Sequence, residues 1–210
     1  MSDMRRILPI LMLFSGFVLA GCASEPAPQQ GPDITDQRVL LVGFSPNEQV
    51  RLAFENQLYE ALRERDVESV QSHRLIPSYA AIEHATILAT AADTEANLIL
   101  MVRRLAIAAD DSGTRVPRDV DAANRAYRTL QNFLASADQR PATPPPPSRQ
   151  VVEVYGYALE RTGARLIWSG YSWVDFDGDL DRAIGETAEL IANNMAQSRD
   201  AVRATRGVPP

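Results

Sequence analysis

Apolar positions along the chain fall into short runs and into stripes spaced three or four residues apart, and the two alternate. From Arg38 to Phe44 the run RVLLVGF has strand character, and Ser45-Pro-Asn-Glu48 behind it carries a helix-start signal with the elements of a capping box. Val50, Phe54, Leu58, Ala61 and Leu62 then recur on one helical face up to about Arg65. Val67 to His73 is a weaker strand pattern, and Pro77 to Thr94 holds helical segments through Tyr79, Ile82, Ile87 and Leu88. Asn97 to Ala108 (NLILMVRRLAIA) is apolar on both alternating faces, which suits a central strand rather than an edge.

Farther along, Arg149 to Leu159 and Arg165 to Phe176 are rich in β-branched and aromatic residues, among them Val151, Tyr155, Tyr157, Trp168, Tyr171 and Trp173. They flank Arg161-Thr-Gly-Ala164, a hairpin turn in which Gly163 is available for positive φ. A last stripe of Leu180, Ile184, Ala188, Ile191 and Met195 predicts a helix from Leu180 to about Gln197, with 198–210 expected to be a disordered tail. The order of elements predicts an α/β (α+β) domain over 38–197: a single mixed β-sheet of about five strands with helices packed on it.

One connection is out of proportion. Residues 110–149 separate two strands by about forty residues, against a usual connection of about 4–6. Within this insertion Asp119 to Ala137 reads as a helix striped by Val120, Ala123, Tyr127, Leu130 and Leu134, and Pro141-Ala-Thr-Pro-Pro-Pro-Pro147 reads as polyproline II. Two readings of the stripe stand side by side. Val120, Tyr127, Leu130 and Leu134 form a partner-binding face, in which case deleting Asp111 to Ser148 leaves a folded domain without its partners. Alternatively the stripe packs on the domain's own sheet, and the deletion unfolds it.

The start of the chain is of a different kind. Arg5 and Arg6 precede an apolar run from Ile7 to Ala20 that ends in small residues before Cys22, the pattern of a secretory signal over 1–21. Fourteen or so apolar residues fall short of the roughly 20 that a membrane-crossing helix needs. Residues 22–37 are polar and proline-rich, without hydrophobic periodicity, and read as a flexible linker whose fifteen residues after Cys22 reach about 47 Å at full extension. The formal net charge of −6 becomes about −7 when Asp3, Arg5 and Arg6 leave with the signal, and no basic run interrupts it, so nucleic acid is not an expected partner.

Leu19-Ala20-Gly21-Cys22 resembles the lipobox of bacterial lipoproteins. The resemblance implies a diacylglycerol thioether on Cys22, cleavage before it, and a chain held to the membrane by its lipid; Ala23 in the next position implies sorting to the outer membrane, with the domain facing the periplasm. Cys22 is the only cysteine, so no disulfide forms within the chain. The domain in turn resembles the small α/β domain of envelope lipoproteins, such as the curli secretion-channel lipoprotein, the outer-membrane activators of penicillin-binding proteins and the amino-terminal domain of the Tol propeller protein. The likeness rests on Val39 to Phe44 with its following helix, on Phe54-Glu55 and Leu58, on Ala96-Asn-Leu-Ile-Leu100 and on Leu166-Ile-Trp-Ser-Gly170, and it implies docking to an envelope protein without catalysis.

Candidate chemistry is sparse. Asp175, Asp177, Asp179 and Glu186 stand at positions 1, 3, 5 and 12 of a calcium-loop spacing, yet Leu180 occupies the position where that loop turns on glycine. The competing reading is a turn whose aspartates cap the following helix. His73 and His84, the only histidines, lie in different predicted elements and have no nucleophile or soft metal ligand tied to them. Arg103-Arg104 reads as a strand-face charge pair. No catalytic residue, no metal site beyond that loop and no cofactor is expected. The function expected is a non-catalytic interaction module of a cell-envelope assembly, the alternative a periplasmic ligand-binding lipoprotein for peptide, glycan or cation, with Trp168, Tyr171 and Trp173 as groove-lining aromatics.

Overall fold

A computed structural model describes residues 37–106, 127–136, 149–175 and 178–206. Cys22, the 1–21 signal, most of the linker, Val120 and the proline run lie outside them. The order is β1 (Val39–Gly43), α1 (Glu48–Arg63), β2 (Ser69–Gln71), two single 3-10 turns (Ser72–Arg74 and Tyr79–Ala81), α2 (His84–Asp93) and β3 (Leu98–Ala106). Then follow α3 (Leu130–Ala135), β4 (Arg149–Glu160), β5 (Gly163–Asp175) and α4 (Leu180–Arg206).

The five strands form one mixed sheet in the order β2-β1-β3-β4-β5, the α/β architecture that the periodicity predicts. β1 pairs in parallel with both β2 and β3, while β3, β4 and β5 run antiparallel. β3 is central, and Leu98 to Met101 are fully buried because helices cover both faces. Val39, Leu41, Leu98, Leu100, Val152 and Val154 point to α1 and α4, whose Phe54, Leu58, Leu62, Ile184, Ile191 and Met195 complete one core. The alternate residues Leu40, Val42, Ile99, Met101, Tyr155 and Tyr157 face α2 and α3 and meet Ile87, Ala91, Leu130 and Phe133 in a second. The period of two in the strands thus sorts one sheet between two layers of helix.

Local chemistry explains the element ends. Asn47 caps α1, its Oδ1 accepting from the N–H groups of Gln49 (3.0 Å) and Val50 (3.3 Å). The β4–β5 turn holds Arg161 and Thr162, and Gly163 takes φ 150° as its glycine predicts. Asp66 and Glu95 leave their helices at φ 54° and 56°, a left-handed conformation that glycine fills without strain. At the far end of α4, Arg199 Nη1 donates to the carbonyls of Arg65 and, at 3.2 Å, Asp66, satisfying the exit of α1.

Two expectations are corrected. The last helix does not stop near Gln197 but continues to Arg206, so the expected tail is in part helical. No glycine or proline intervenes before Gly207, and Ala201 and Ala204 favour the helix. The inserted helix is shorter than its stripe: among the described residues it spans Leu130–Ala135, and Tyr127 lies before it. Thr129 breaks the pattern, because its hydroxyl caps Asn132 N–H (3.2 Å) and its backbone bridges to Arg165 on β5. Its neighbour Arg128 accepts from the N–H of Leu166 at 2.9 Å, so the stretch before α3 adds briefly to the sheet edge.

Candidate functional site

Order along the sheet defines one distinctive place. From β1 the chain goes outward through α1 to β2, then crosses to the other face through α2 and returns as β3 on the opposite side of β1. The direction of travel reverses between β1 and β3, and in open α/β sheets the crevice beyond the carboxyl ends at such a point is where ligands gather. Here that crevice lies beside Gly43, Phe44 and Val102, with the Phe44 N–H tied to the Val102 carbonyl at 2.8 Å.

A groove opens from it between the first turns of α1 and α4. Phe44, Val50, Phe54, Val102, Leu180 and Ile184 supply apolar walls, Arg51 lines the groove among them, Ser45 adds a hydroxyl, and the Thr187 hydroxyl is turned to the Ala183 carbonyl at 2.7 Å. Its cavity volume is about 40 Å³. That is room for about three waters, and far below the roughly 300–1,000 Å³ of a small-molecule pocket. A wider furrow of about 330 Å³ runs between α1 and α4, open to solvent and walled by Asn56, Glu60, Glu64 and Glu189.

Beneath the groove sits a buried polar network centred on Glu55, which is fully shielded. Its Oε1 accepts from the Gly43 N–H at 2.9 Å and the Ser72 hydroxyl at 2.8 Å; its Oε2 accepts from the His73 N–H at 2.8 Å and lies 2.9 Å from His73 Nδ1. Arg51, 1% exposed, donates to the Ile76 carbonyl at 2.5 Å and stands within 3.7 Å of Glu55 and 3.4 Å of Glu48. Glu48 accepts in turn from the Tyr79 N–H. Helical spacing places Glu48, Arg51 and Glu55 on one side of α1, from which they gather the backbone of both 3-10 turns. Ser72 and His73 bind different oxygens of one carboxylate rather than each other, and the serine is fully buried, so the trio does not form a nucleophile and its base.

A second charged cluster lies on the other face. Arg103 on β3 and Glu153 on β4 are cross-strand partners, joined from Nε (3.1 Å) and Nη2 (2.5 Å) to Oε2, and Tyr155 donates to the same oxygen at 2.9 Å. The guanidinium carbon lies 5.4 Å from the Tyr127 ring centre and 5.0 Å from that of Phe133. Burial raises the Tyr155 phenol well above its ordinary range, with the Glu153 charge and hydrogen bond adding to it and Arg103 opposing. Tyr157 is raised by burial as well. The aromatic box is filled by the chain's own arginine.

The residues singled out in the sequence fall into place as follows. Leu130 is fully buried, Tyr127 is 8% exposed and Leu134 packs against the second core, so the stripe is spent inside the domain and these three do not form an exposed partner-binding face. Val120 lies outside the described residues. Asp179 Oδ1 accepts from the Arg182 N–H at 3.0 Å and caps α4, while Glu186 stands exposed on that helix. The side chains of Asp175 and Asp177 lie outside the description, and among the described residues no three acidic, histidine or cysteine groups gather as for a metal. His84 opens α2, away from the Glu55 network that holds His73. Trp168 packs against the first core with its indole N–H buried and unpaired, and the side chains of Arg104, Tyr171 and Trp173 lie outside the description.

Glu55 is the residue that periodicity passes over, entering the sequence reading only through the resemblance. A glutamate beside Phe54 and one turn before Leu58, on the face that must be buried, is the signal that finds it.

No protein-family model and no curated protein sequence matches the chain. Among solved structures it is similar to the PelC dodecamer from Paraburkholderia phytofirmans, seen in two space groups. The identities are 11% and 13%, 79% and 80% of this chain and 93% of that chain are covered, and the TM-scores are 0.39 and 0.41. It is also similar to a formyltetrahydrofolate deformylase from Pseudomonas putida at 10% identity, covering 80% of this chain and 65% of that one, with a TM-score of 0.32. Likenesses of this size assign no activity to the chain.

Proposed function

We propose that this chain is an outer-membrane lipoprotein, anchored through Cys22 with its domain facing the periplasm, and that it serves as a non-catalytic docking module of a cell-envelope assembly. The observation that carries the reading is the placement of the chain's only cysteine, directly after a charged start, an apolar run and the small residues Ala20 and Gly21. Lipid chains at that position give stable attachment where a single chain would be marginal. Among the described residues no helix is long and apolar enough to cross a membrane, so the reading gives the lipid the anchoring role. Support for docking without catalysis comes from the two buried charged clusters, both engaged within the domain, and from a groove far smaller than a small-molecule pocket.

Labelled palmitate supplied to cells producing the wild-type chain and Cys22→Ala tests the anchor. Label and membrane association in the wild type alone support it, and a wild-type chain that takes up no label refutes it. Crosslinking in the same cells tests docking: a defined set of envelope proteins captured by the wild type supports it, and empty capture from a folded, abundant chain refutes it.

A further inference from the structure

α1 and α4 both begin beside the groove and run away from it together. At their far ends Arg65 bonds Asn193 at 2.9 Å, and Arg199 donates to the carbonyls of Arg65 and Asp66. β1 runs the opposite way, so the pole that collects these helix ends is also the one where the chain enters from the 22–37 linker, at Arg38. Arg38 is fixed there by Glu68 and by the Thr94 carbonyl at 2.8 Å. The turn of the β4–β5 hairpin lies at the same pole, since the N–H of Leu159 donates to Asn97 and that of Leu98 to Arg38.

One element projects from that pole. Arg199 is level with the exit of α1, and α4 continues through 200–206, about 10 Å of further helix at roughly 1.5 Å per residue. The tip carries Arg203 and Arg206 against a single carboxylate, Asp200, which Arg199 already pairs at 3.0 Å. Arg38, Arg65 and Arg165 at this pole are matched by Glu68, Glu189 and Glu160, while Arg161 is exposed with no ion pair among the described residues. Glu64 and Asp66 are set back at the exit of α1, about one Debye length behind the end of the tip. The start of α4 has the reverse character, with Asp179 and Asp181 exposed. Opposite charge thus marks the two ends of one helix about 40 Å long.

We propose that the arginine-bearing tip of α4 seats on the anionic headgroups of the membrane that holds the lipid anchor. The tether supplies the proximity: a chain of net charge about −7 is not drawn to such a surface from solution, but a linker of about 47 Å keeps it there at high effective concentration. Lipid phosphates pair with the Arg203 and Arg206 guanidiniums, the acidic start of α4 turns to the aqueous side, and the groove opens away from the bilayer. The assignment rests on the anchor proposed above for proximity, and on the pole for its chemistry.

Cys22 is the only thiol, so the mature chain from position 22 couples through it to a maleimide phospholipid in vesicles of phosphatidylcholine, with or without about one third phosphatidylglycerol. Amide exchange of 200–206 is followed by mass spectrometry. Exchange about 3-fold slower or more on the anionic vesicles than on the neutral ones is expected, with the difference erased at about 0.5 M salt. Arg203→Glu combined with Arg206→Glu abolishes the difference and leaves exchange in β1 and β3 unchanged. Equal exchange on the two vesicles overturns the proposal, as does a difference that the double variant keeps. Protection that grows with the density of coupled chain on neutral vesicles overturns it in favour of a second copy. Because the tether is chemical, these failures remove the seated tip and leave the palmitate test of the anchor unaffected.

Discussion

The carboxylate of Glu55 and the imidazole of His73 meet at 2.9 Å across the joint between α1 and the first 3-10 turn, with Glu55 wholly screened from water. That carboxylate also holds the end of β1 through Gly43 and the turn through Ser72, so one side chain fixes three segments. Glu55→Gln keeps the shape and removes the charge that Arg51, His73 and two N–H groups face. A loss of about 2–4 kcal/mol in unfolding free energy is expected from urea denaturation, because charge-assisted bonds to a buried group are lost and Arg51 is left less well balanced.

Gly43 permits that approach. A β-carbon there would lie 3.2 Å from Arg51 Cγ and 3.3 Å from Glu55 Oε1. Gly43→Ala is expected to cost about 1–2 kcal/mol, the usual scale of an overpacked site. Combined with Glu55→Gln the loss should be less than additive, since both changes break the same contact; additive losses in a double-mutant cycle would separate the two.

The Arg103–Glu153 pair is a buried cross-strand ion pair beneath the α3 segment. Arg103→Met leaves Glu153 charged and unpaired and is expected to destabilise by about 3–5 kcal/mol. Arg103→Met with Glu153→Leu should recover most of that loss, because two apolar side chains carry no desolvation cost. Thermal unfolding of the single and double variants checks the order.

Alkaline stability follows from the phenols. Tyr155 and Tyr157 hold their protons in the folded chain above the ordinary phenol value near 10, whereas the unfolded chain releases them there. Their contribution is fully present below that pH and is lost as pH rises through and above it. Unfolding free energy should fall by about 1.4 kcal/mol per pH unit for each tyrosine once the unfolded groups are ionised. Tyr157→Phe should halve the slope between pH 10.5 and 12, measured by urea denaturation.

Glu95 sits at φ 56°, is exposed, and places its carboxylate a loose 3.7 Å from Arg38. Glu95→Gly is expected to stabilise the domain by up to about 1 kcal/mol, since glycine takes the left-handed conformation without the β-carbon clash. A lowered thermal midpoint would show that the Arg38 contact outweighs the strain.

The sheet was legible because its strands are short apolar blocks separated by helical stripes. Asn97 to Ala108 announced a central strand by having no polar face, and Gly163 marked the hairpin. The α3 stripe was legible as apolar but not as to what it covers, since Leu130 and Phe133 would show the same spacing whether they met this sheet or another protein. Thr129 could cap or continue a helix, and its bridge to Arg165 decided which. The groove was hidden for a different reason. Phe44, Val102 and Ile184 are separated by long stretches of chain and come together only through the reversal of strand order around β1. Asp179 illustrates the limit of spacing: oxygen atoms at calcium-loop intervals are also where a helix start needs a cap, and here one of them caps α4.

β1 is gripped on both sides by parallel neighbours, and it is the strand that the chain enters from Arg38 and leaves at the mouth of the groove. Were the chain pulled at Arg38 while the rest of the sheet was held, tension would enter β1 and load the hydrogen bonds of both ladders together, in shear. Bonds strained side by side share a force that bonds opened in succession, as in a zipper, meet one at a time. The same connectivity that brings the groove residues together thus gives β1 two parallel ladders that resist a pull along the strand side by side.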